Sequence, residues 1–263
     1  MPGYDWISLT TDYGLSDGFA ASCHGVIARI APAVRIIDVT HEVPPGEVSR
    51  GAAVLAQTVP HLPPAVHVAV VDPGVGTARR GVALQTPGGL LVGPDNGLLP
   101  GAAEVLGGVL RAVELTNDEW FAPQASATFH GRDIFAPVAA RLALGQGLDN
   151  AGSIVDAETL VRLPDPVVIT GDGWIEAEVL TVDRFGNVQL AAPPEALDGL
   201  GATLSVGGMR AVHATTFSEG TPGQLVVYVD SAARVAVAIN GGRAVVALAV
   251  TPGDVLRISD RDG

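Results

Sequence analysis

The sequence predicts an α/β domain built on a layered, mainly parallel sheet, followed by an all-β, barrel-like domain. Three observations carry that prediction. In residues 1–160 short apolar strands alternate with helical stretches, the pattern of βαβ units. In residues 161–263 short alternating strands follow one another across glycine turns with no clear helix, as in small antiparallel barrels. Between the two styles, Asp149 to Pro166 is rich in aspartate and proline and reads as a linker.

Trp6 to Thr11 has a strand pattern, and Phe19 to Ile30 places Ala and Ile on one face of a helix that Pro32 ends. Val34 to Thr40 is a second strand, and Val48 to Val59 a second helix. Val66 to Val71 is a valine-rich run that reads as a buried strand. Gly81–Gln85 and Gly89–Val92 form a hairpin across Thr86-Pro-Gly. A helix from about Ile134 to Leu144 carries Pro137 near its start, where proline is tolerated. In the second half, strands are expected over Gly173–Asp183, Ala202–Val206, Gln224–Val229, Arg234–Ile239 and Ala244–Val250.

Composition narrows the function classes. Of 263 residues 48% are hydrophobic and 16% charged, enough for a substantial core. A net charge of -13 argues against a nucleic-acid partner, which needs a basic surface. Cys23 is the single cysteine, so neither an intrachain disulfide nor a multi-cysteine zinc site can form. His24, His41, His61, His67 and His213 show no HExxH or other metal spacing, and no metal or cofactor is expected. No signal pattern opens the chain, and no apolar run approaches the roughly 20 residues that span a bilayer. The expectation is a soluble, cytoplasmic protein with no membrane partner.

The chemistry concentrates where strands end. Asp72 closes the valine run, and Pro73, Gly74 and Gly76 force a tight turn after it. A carboxylate at the carboxyl end of a buried strand is where open α/β sheets place ligand chemistry, and Arg79 is close enough to fold back on it. The structural alternative is an aspartate that caps its own turn, with Arg79 a surface cation. Asp12 and Asp17 lie after the first strand, and such a carboxylate can accept both protons of a ribose diol; an N-cap or Asx-turn would also account for one of them. His130, in Phe129-His-Gly-Arg-Asp133, is a candidate base, donor or orienting group, or else a structural histidine paired with Asp133. Asn187 in Asp183-Arg-Phe-Gly-Asn187 can donate to and accept from a purine edge, with Phe185 as a stacking face, although a plain β-turn has the same composition. Tyr228-Val-Asp-Ser231 and Ile239-Asn-Gly-Gly242 are further ligand loops or turns. No P-loop, GxSxG elbow or GxGxxG fingerprint is present.

Taken together, Thr10-Thr-Asp12-Tyr-Gly, Asp38-Val-Thr-His-Glu, Val71-Asp-Pro-Gly-Val-Gly-Thr77 with Arg79, Gly93-Pro-Asp-Asn-Gly-Leu98, Phe129-His-Gly-Arg-Asp133 and Asp183-Arg-Phe-Gly-Asn187 resemble the S-adenosyl-L-methionine (SAM) hydroxide adenosyltransferases. These adenosine-forming SAM hydrolases are homologous to the SAM-dependent fluorinase and chlorinase. The resemblance runs in order along nearly the whole chain. It implies an N-terminal α/β domain, a C-terminal β-barrel, and a homotrimer with SAM bound between the N-domain of one subunit and the C-domain of its neighbour. It implies a hydrolytic triad of Asp72, Arg79 and His130. By the same similarity Asp12 would hold the ribose, and Asp17, Asp183 and Ser231 would face the methionine end. Asn187 and the backbone of Ile239, Asn240 and Gly241 would read adenine, between walls of Phe129, Phe185 and Phe217.

The chain departs from the halogenases where that family binds halide. The halogenases carry tyrosines at the positions of Asp72 and His130 and a threonine at Val75, and the fluorinase has a long extra loop that this chain lacks. The fluorinase serine that meets fluoride corresponds to Gly131, a glycine also found in the chlorinase. An arginine that helps hold the carboxylate in the halogenases is Ala232 here. The expected reaction is therefore hydrolysis of SAM to adenosine and L-methionine. The alternatives are a SAM- or adenosine-binding protein with little turnover, and a halogenase, which the missing tyrosines and threonine disfavour.

Overall fold

The computed structural model describes residues 3–260. By its internal contacts the chain divides into two compact units, with the division between Leu163 and Pro164.

The first unit holds seven strands: β1 (Trp6–Thr11), β2 (Arg35–Thr40), β3 (Ala65–Val70), β4 (Gly81–Thr86), β5 (Gly89–Pro94), β6 (Arg111–Leu115) and β7 (Gly152–Val155). They form one sheet in the order β2-β1-β3-β5-β4-β6-β7. The pairings β2–β1, β1–β3 and β3–β5 are parallel, and β5–β4, β4–β6 and β6–β7 are antiparallel. So β2, β1, β3, β5 and β6 point one way and β4 and β7 the other, which is the mainly parallel sheet expected. Every residue of β3 is buried because helices cover both faces. Helices α1 (Phe19–Ile30) and α4 (Ala136–Ala143) share a core with Ile7, Leu9, Val66 and Val68. Helices α2 (Val48–Thr58) and α3 (Pro100–Val105) pack with Ala69, Val71, Leu84 and Leu91 on the other face. In α1 the buried positions Ala20, Cys23 and Ile27 fall at the three- and four-residue spacing of one helical face.

This order puts a topological switch point between β1 and β3. The chain leaves β1 through α1 to reach β2 on one side, then returns through α2 to β3 on the other. Residues just beyond the carboxyl ends of β1 and β3, Asp12 and Asp72, therefore stand at neighbouring strands where α/β sheets open a crevice.

The second unit is a seven-stranded ring closed by β10 on β9, with an eighth strand added at β9. Its strands are β8 (Val168–Gly171), β9 (Trp174–Val182), β10 (Val188–Leu190), β11 (Thr203–Val206), β12 (Met209–His213), β13 (Leu225–Val229), β14 (Val235–Ile239) and β15 (Val255–Asp260). In β9 alternate residues Ile175, Ala177, Val179 and Thr181 face inward, as a barrel strand requires.

Two expectations fail. The Asp149–Pro166 stretch is not a plain linker, because Gly152–Val155 adds β7 to the edge of the first sheet and single helical turns flank it. Ala244–Val250 is not a strand but a short helix, α5 (Ala244–Leu248), ended by Ala249 in the left-handed region at φ 53. A short apolar run satisfies either period, and α5 uses it to pack Ala244 against the barrel core. Among the described residues no helix is long and apolar enough to cross a membrane.

Candidate active site

At the switch point Asp72, Arg79 and His130 form one hydrogen-bonded chain. The Pro73–Thr77 turn reverses the backbone, helped by the left-handed Gly76, so that Arg79 returns to the carboxylate it left. Arg79 Nε donates to both Asp72 oxygens at 3.1 Å, and Nη2 donates to Oδ2 at 2.5 Å. The Asp72 and Arg79 side chains are 5% and 12% exposed, so the pair is shielded from solvent. The guanidinium also lies 5.3 Å from the ring centre of the fully buried Phe135.

His130 closes the chain through Nδ1, which lies 2.7 Å from Arg79 Nη2. Arginine only donates, so Nδ1 accepts and the imidazole proton sits on Nε2. Burial, then the adjacent Arg79 charge, lowers the His130 pKa below its ordinary value, which favours the same neutral form. A π-helical turn over Gly131–Phe135 follows directly and leads into α4. The pairing with Asp133 does not occur as a hydrogen bond: Asp133 accepts from Arg132 at 2.7 and 2.8 Å and from the Ser126 amide at 2.8 Å.

Asp12, Tyr13, Asp72, Val75, His130 and Gly131 line a cavity of about 50 Å³. The Gly46 amide donates to Asp12 Oδ2 at 2.9 Å and leaves Oδ1 available. The rings of Tyr13, Phe19 and Phe129 pack together beside it, Phe129 edge-on to Tyr13 at 5.5 Å and to Phe19 at 5.2 Å. Burial is the main cause that pushes the Tyr13 phenol far above its ordinary pKa, so it stays protonated. Sequence reasoning missed Tyr13 and Phe19; their signal was an aromatic at each end of the loop between β1 and α1. Asp17 sits exposed in that loop. Arg80, next to Arg79, turns away to Asp95 (Nε to Oδ2, 2.8 Å) and to the Thr159 carbonyl at 2.6 Å.

In the second unit Asp183 accepts from the Phe185 and Asn187 amides, each at 2.9 Å, and from Asn187 Nδ2 at 2.7 Å. This turn holds Phe185 outward at 75% exposure. Phe217 is exposed on a single helical turn that Thr216 and Glu219 cap. Asn240 Nδ2 donates to the Gly220 carbonyl at 2.7 Å, and Gly241 adopts φ 74. Ile239 pairs with Leu225 and Val235 with Val229, so Ser231 and Ile239–Gly241 lie at opposite ends of the β13–β14 hairpin. The structure does not bring these two groups together; a strand of this length separates them by about 15 Å.

Family models for the SAM hydroxide adenosyltransferase N-terminal and C-terminal domains match residues 7–152 and 177–257. The chain belongs to this family. It is 65% identical over 259 residues to an (R)-S-adenosyl-L-methionine hydrolase of Salinispora arenicola, covering 98% of this chain and 99% of that protein. It is 41% identical to one of Thermus thermophilus over 96% and 98% of the two chains. A fluorinase of an Actinoplanes species is more distant, 29% identical over 69% of this chain and 70% of its own. The crystal structure of an uncharacterized conserved protein from Thermotoga maritima matches with a TM-score of 0.89 and 36% identity, over 96% of this chain and 99% of that one.

Proposed function

We propose that the protein hydrolyses S-adenosyl-L-methionine to adenosine and L-methionine, with water as the nucleophile at the ribose C5′ and Asp72, Arg79 and His130 as the catalytic residues. The observation that carries the reading is the Asp72–Arg79–His130 chain bordering a cavity of about 50 Å³, space enough for water. The oxygen attacks C5′ in line with the sulfonium, the C5′–S bond breaks, and methionine leaves as a neutral thioether. The water loses its proton as the new C–O bond forms. Arg79 stays protonated and can only donate, and the Nδ1 lone pair of His130 is engaged by Arg79. Asp72 is then the member of the three with acceptor capacity left, and it takes the proton. The His130 Nε2–H serves as a donor that orients the attacking oxygen. The free Oδ1 of Asp12 suits the ribose hydroxyls, and the aromatic group beside it excludes bulk water. Phe129 belongs to that wall. Asp17, Asp183 and Ser231 are the residues for the methionine end, and Asn187, Phe185, Phe217 and Ile239–Gly241 those for adenine. Of these, Ser231 and Ile239–Gly241 lie at opposite ends of the β13–β14 hairpin, which suits a long substrate, whereas Asp183 and Asn187 share one turn. A homotrimer with shared active sites and a cytoplasmic location complete the reading.

The relatives' name specifies the (R) sulfonium epimer, so the test supplies each epimer separately in water enriched in heavy oxygen. Adenosine labelled at its 5′ oxygen, with equimolar methionine, is the expected product. Bound but unreacted SAM, or unlabelled adenosine, would overturn the proposal. Light scattering at the mass of three chains checks the trimer.

A further inference from the structure

Three side chains outside the catalytic reading meet at the carboxyl end of β2. His24 comes from α1, Asp38 from β2 and His41 from the turn after it. Asp38 and His41 belong to the Asp38-Val-Thr-His-Glu motif, for which hydrolysis finds no use. One ligating atom from each lies within 4.8 Å of the other two. His24 Nε2 is 2.8 Å and His41 Nε2 3.0 Å from the same oxygen, Asp38 Oδ1.

His41 shows why ordinary hydrogen bonding does not account for the cluster. Its side chain is 3% exposed, and its Nδ1 is held 2.7 Å from Thr11 Oγ1. Its Nε2 is a buried polar atom with no hydrogen-bond partner, because Asp38 Oδ1 is near but out of line. In the tautomer whose Nδ1 proton is donated to Thr11 Oγ1, the Nε2 lone pair faces the carboxylate, which is repulsive unless a cation lies between them. A ligating histidine whose other nitrogen donates to a neighbouring oxygen is the usual arrangement around a bound metal.

We propose that His24 Nε2, Asp38 Oδ1 and His41 Nε2 bind one divalent cation of the zinc class. Two imidazoles and a carboxylate are the donor set of such ions rather than of calcium or magnesium, which take oxygen ligands. His24 and Asp38 are 36% and 44% exposed, so the ion has an entry path and solvent supplies the remaining ligand. His24 Nε2 and His41 Nε2, at 2.8 and 3.0 Å from Asp38 Oδ1, each need to draw back from it by only a few tenths of an ångström to reach the spacing of tetrahedral ligands about 2 Å from a metal. The cation takes no part in the reaction. It braces the loop that carries Asp12 and Tyr13: His41 contacts Thr11, whose Oγ1 also accepts from the Tyr13 amide at 3.2 Å, and the His41 carbonyl accepts from the Gly14 amide at 2.7 Å.

The test uses the full chain, stripped with a chelator, returned to metal-free buffer and titrated with Zn²⁺ alone by calorimetry. One Zn²⁺ per chain at micromolar concentration or tighter is expected, with a rise in Tm on binding. His24→Ala and Asp38→Asn should each weaken binding at least about 10-fold and remove the Tm rise, while His61→Ala leaves both unchanged. His24 and Asp38 are surface-accessible, and circular dichroism confirms that each variant folds; either one alone decides the question. Binding weaker than millimolar, or equal binding by the parent and the folded variants, would overturn the site.

Discussion

Gly131 is the position at which the packing of the candidate site can be tested with one carbon atom. A Cβ built there falls 1.9 Å from the Tyr13 hydroxyl oxygen and 3.0 Å from Cζ. Ordinary contact begins at about 3.4 Å, so the end of the tyrosine must retreat by roughly 1.5 Å. It has little freedom to do so, with Phe129 edge-on at 5.5 Å and Phe19 tilted at 6.0 Å. Overpacking of this kind costs about 1–3 kcal/mol. Gly131→Ala should therefore lower the urea midpoint by that amount, and should reduce kcat about 10- to 100-fold because His130 is the adjacent residue. The companion variant is Tyr13→Phe, which deletes the clashing oxygen and leaves the milder contacts with Cζ at 3.0 Å and Cε2 at 3.3 Å. In that background Gly131→Ala should cost at least about 1 kcal/mol less, a coupling that a double-mutant cycle measures directly. An equal cost in both backgrounds, or no cost in either, would refute the reasoning. The same geometry explains why a serine cannot simply replace Gly131 in this chain: any side chain there competes with Tyr13.

Three further outcomes are expected. Asp72→Asn keeps the shape of the side chain but removes the proton acceptor, so kcat should fall about 10²- to 10⁴-fold with an unchanged circular dichroism spectrum. The profile of kcat/KM against pH should be flat near neutrality and fall on the acid side with an apparent pKa below the usual 6.5 of histidine, because protonating His130 Nδ1 breaks its bond to Arg79; a fall centred above 6.5 would contradict this. His67, buried in β3 with Nδ1 2.8 Å from Ser8 Oγ, has its pKa lowered to about 4 by burial. Between that value and about 6.5 the unfolded chain binds a proton that the folded chain refuses, so this contribution is complete above pH 6.5 and is lost as pH falls towards 4. The loss reaches about 3 kcal/mol, and His67→Gln should flatten that part of the curve of unfolding free energy against pH.

How legible the fold was depends on how much of each element is written in its own residues. β3 was plain because Ala65-Val-His-Val-Ala-Val70 is buried on both faces and ends at a turn. β7 was hidden because Gly152-Ser-Ile-Val155 is a four-residue edge strand, and only its pairing with β6 makes it one. α3 and α5, at six and five residues, are too short to display a helical period. Candidate residues from the sequence met a similar limit. Asp72 and Arg79 are seven positions apart, and a turn between them is readable. The contact of Arg79 with His130 spans 51 positions, and the His24–Asp38–His41 cluster joins a helix to a strand end; neither has a local signature.

The charges around the cavity favour water over an anion as the nucleophile. Asp12 and Asp72 both border it, and the positive charge of Arg79 is directed at Asp72 through both Nε and Nη2. His130 is held neutral by burial and by Arg79 itself. Two carboxylates against one guanidinium leave the site with a net negative charge. A halide entering it would shed its hydration beside two carboxylates, with the Arg79 charge already paired with Asp72, and that transfer is unfavourable. Water meets no such penalty, and the sulfonium of SAM gains from the same field. What separates this chain from the halogenases is therefore more than a missing tyrosine. In the proposed mechanism the carboxylate at position 72 is the proton acceptor for water and, by the same charge, opposes an anion.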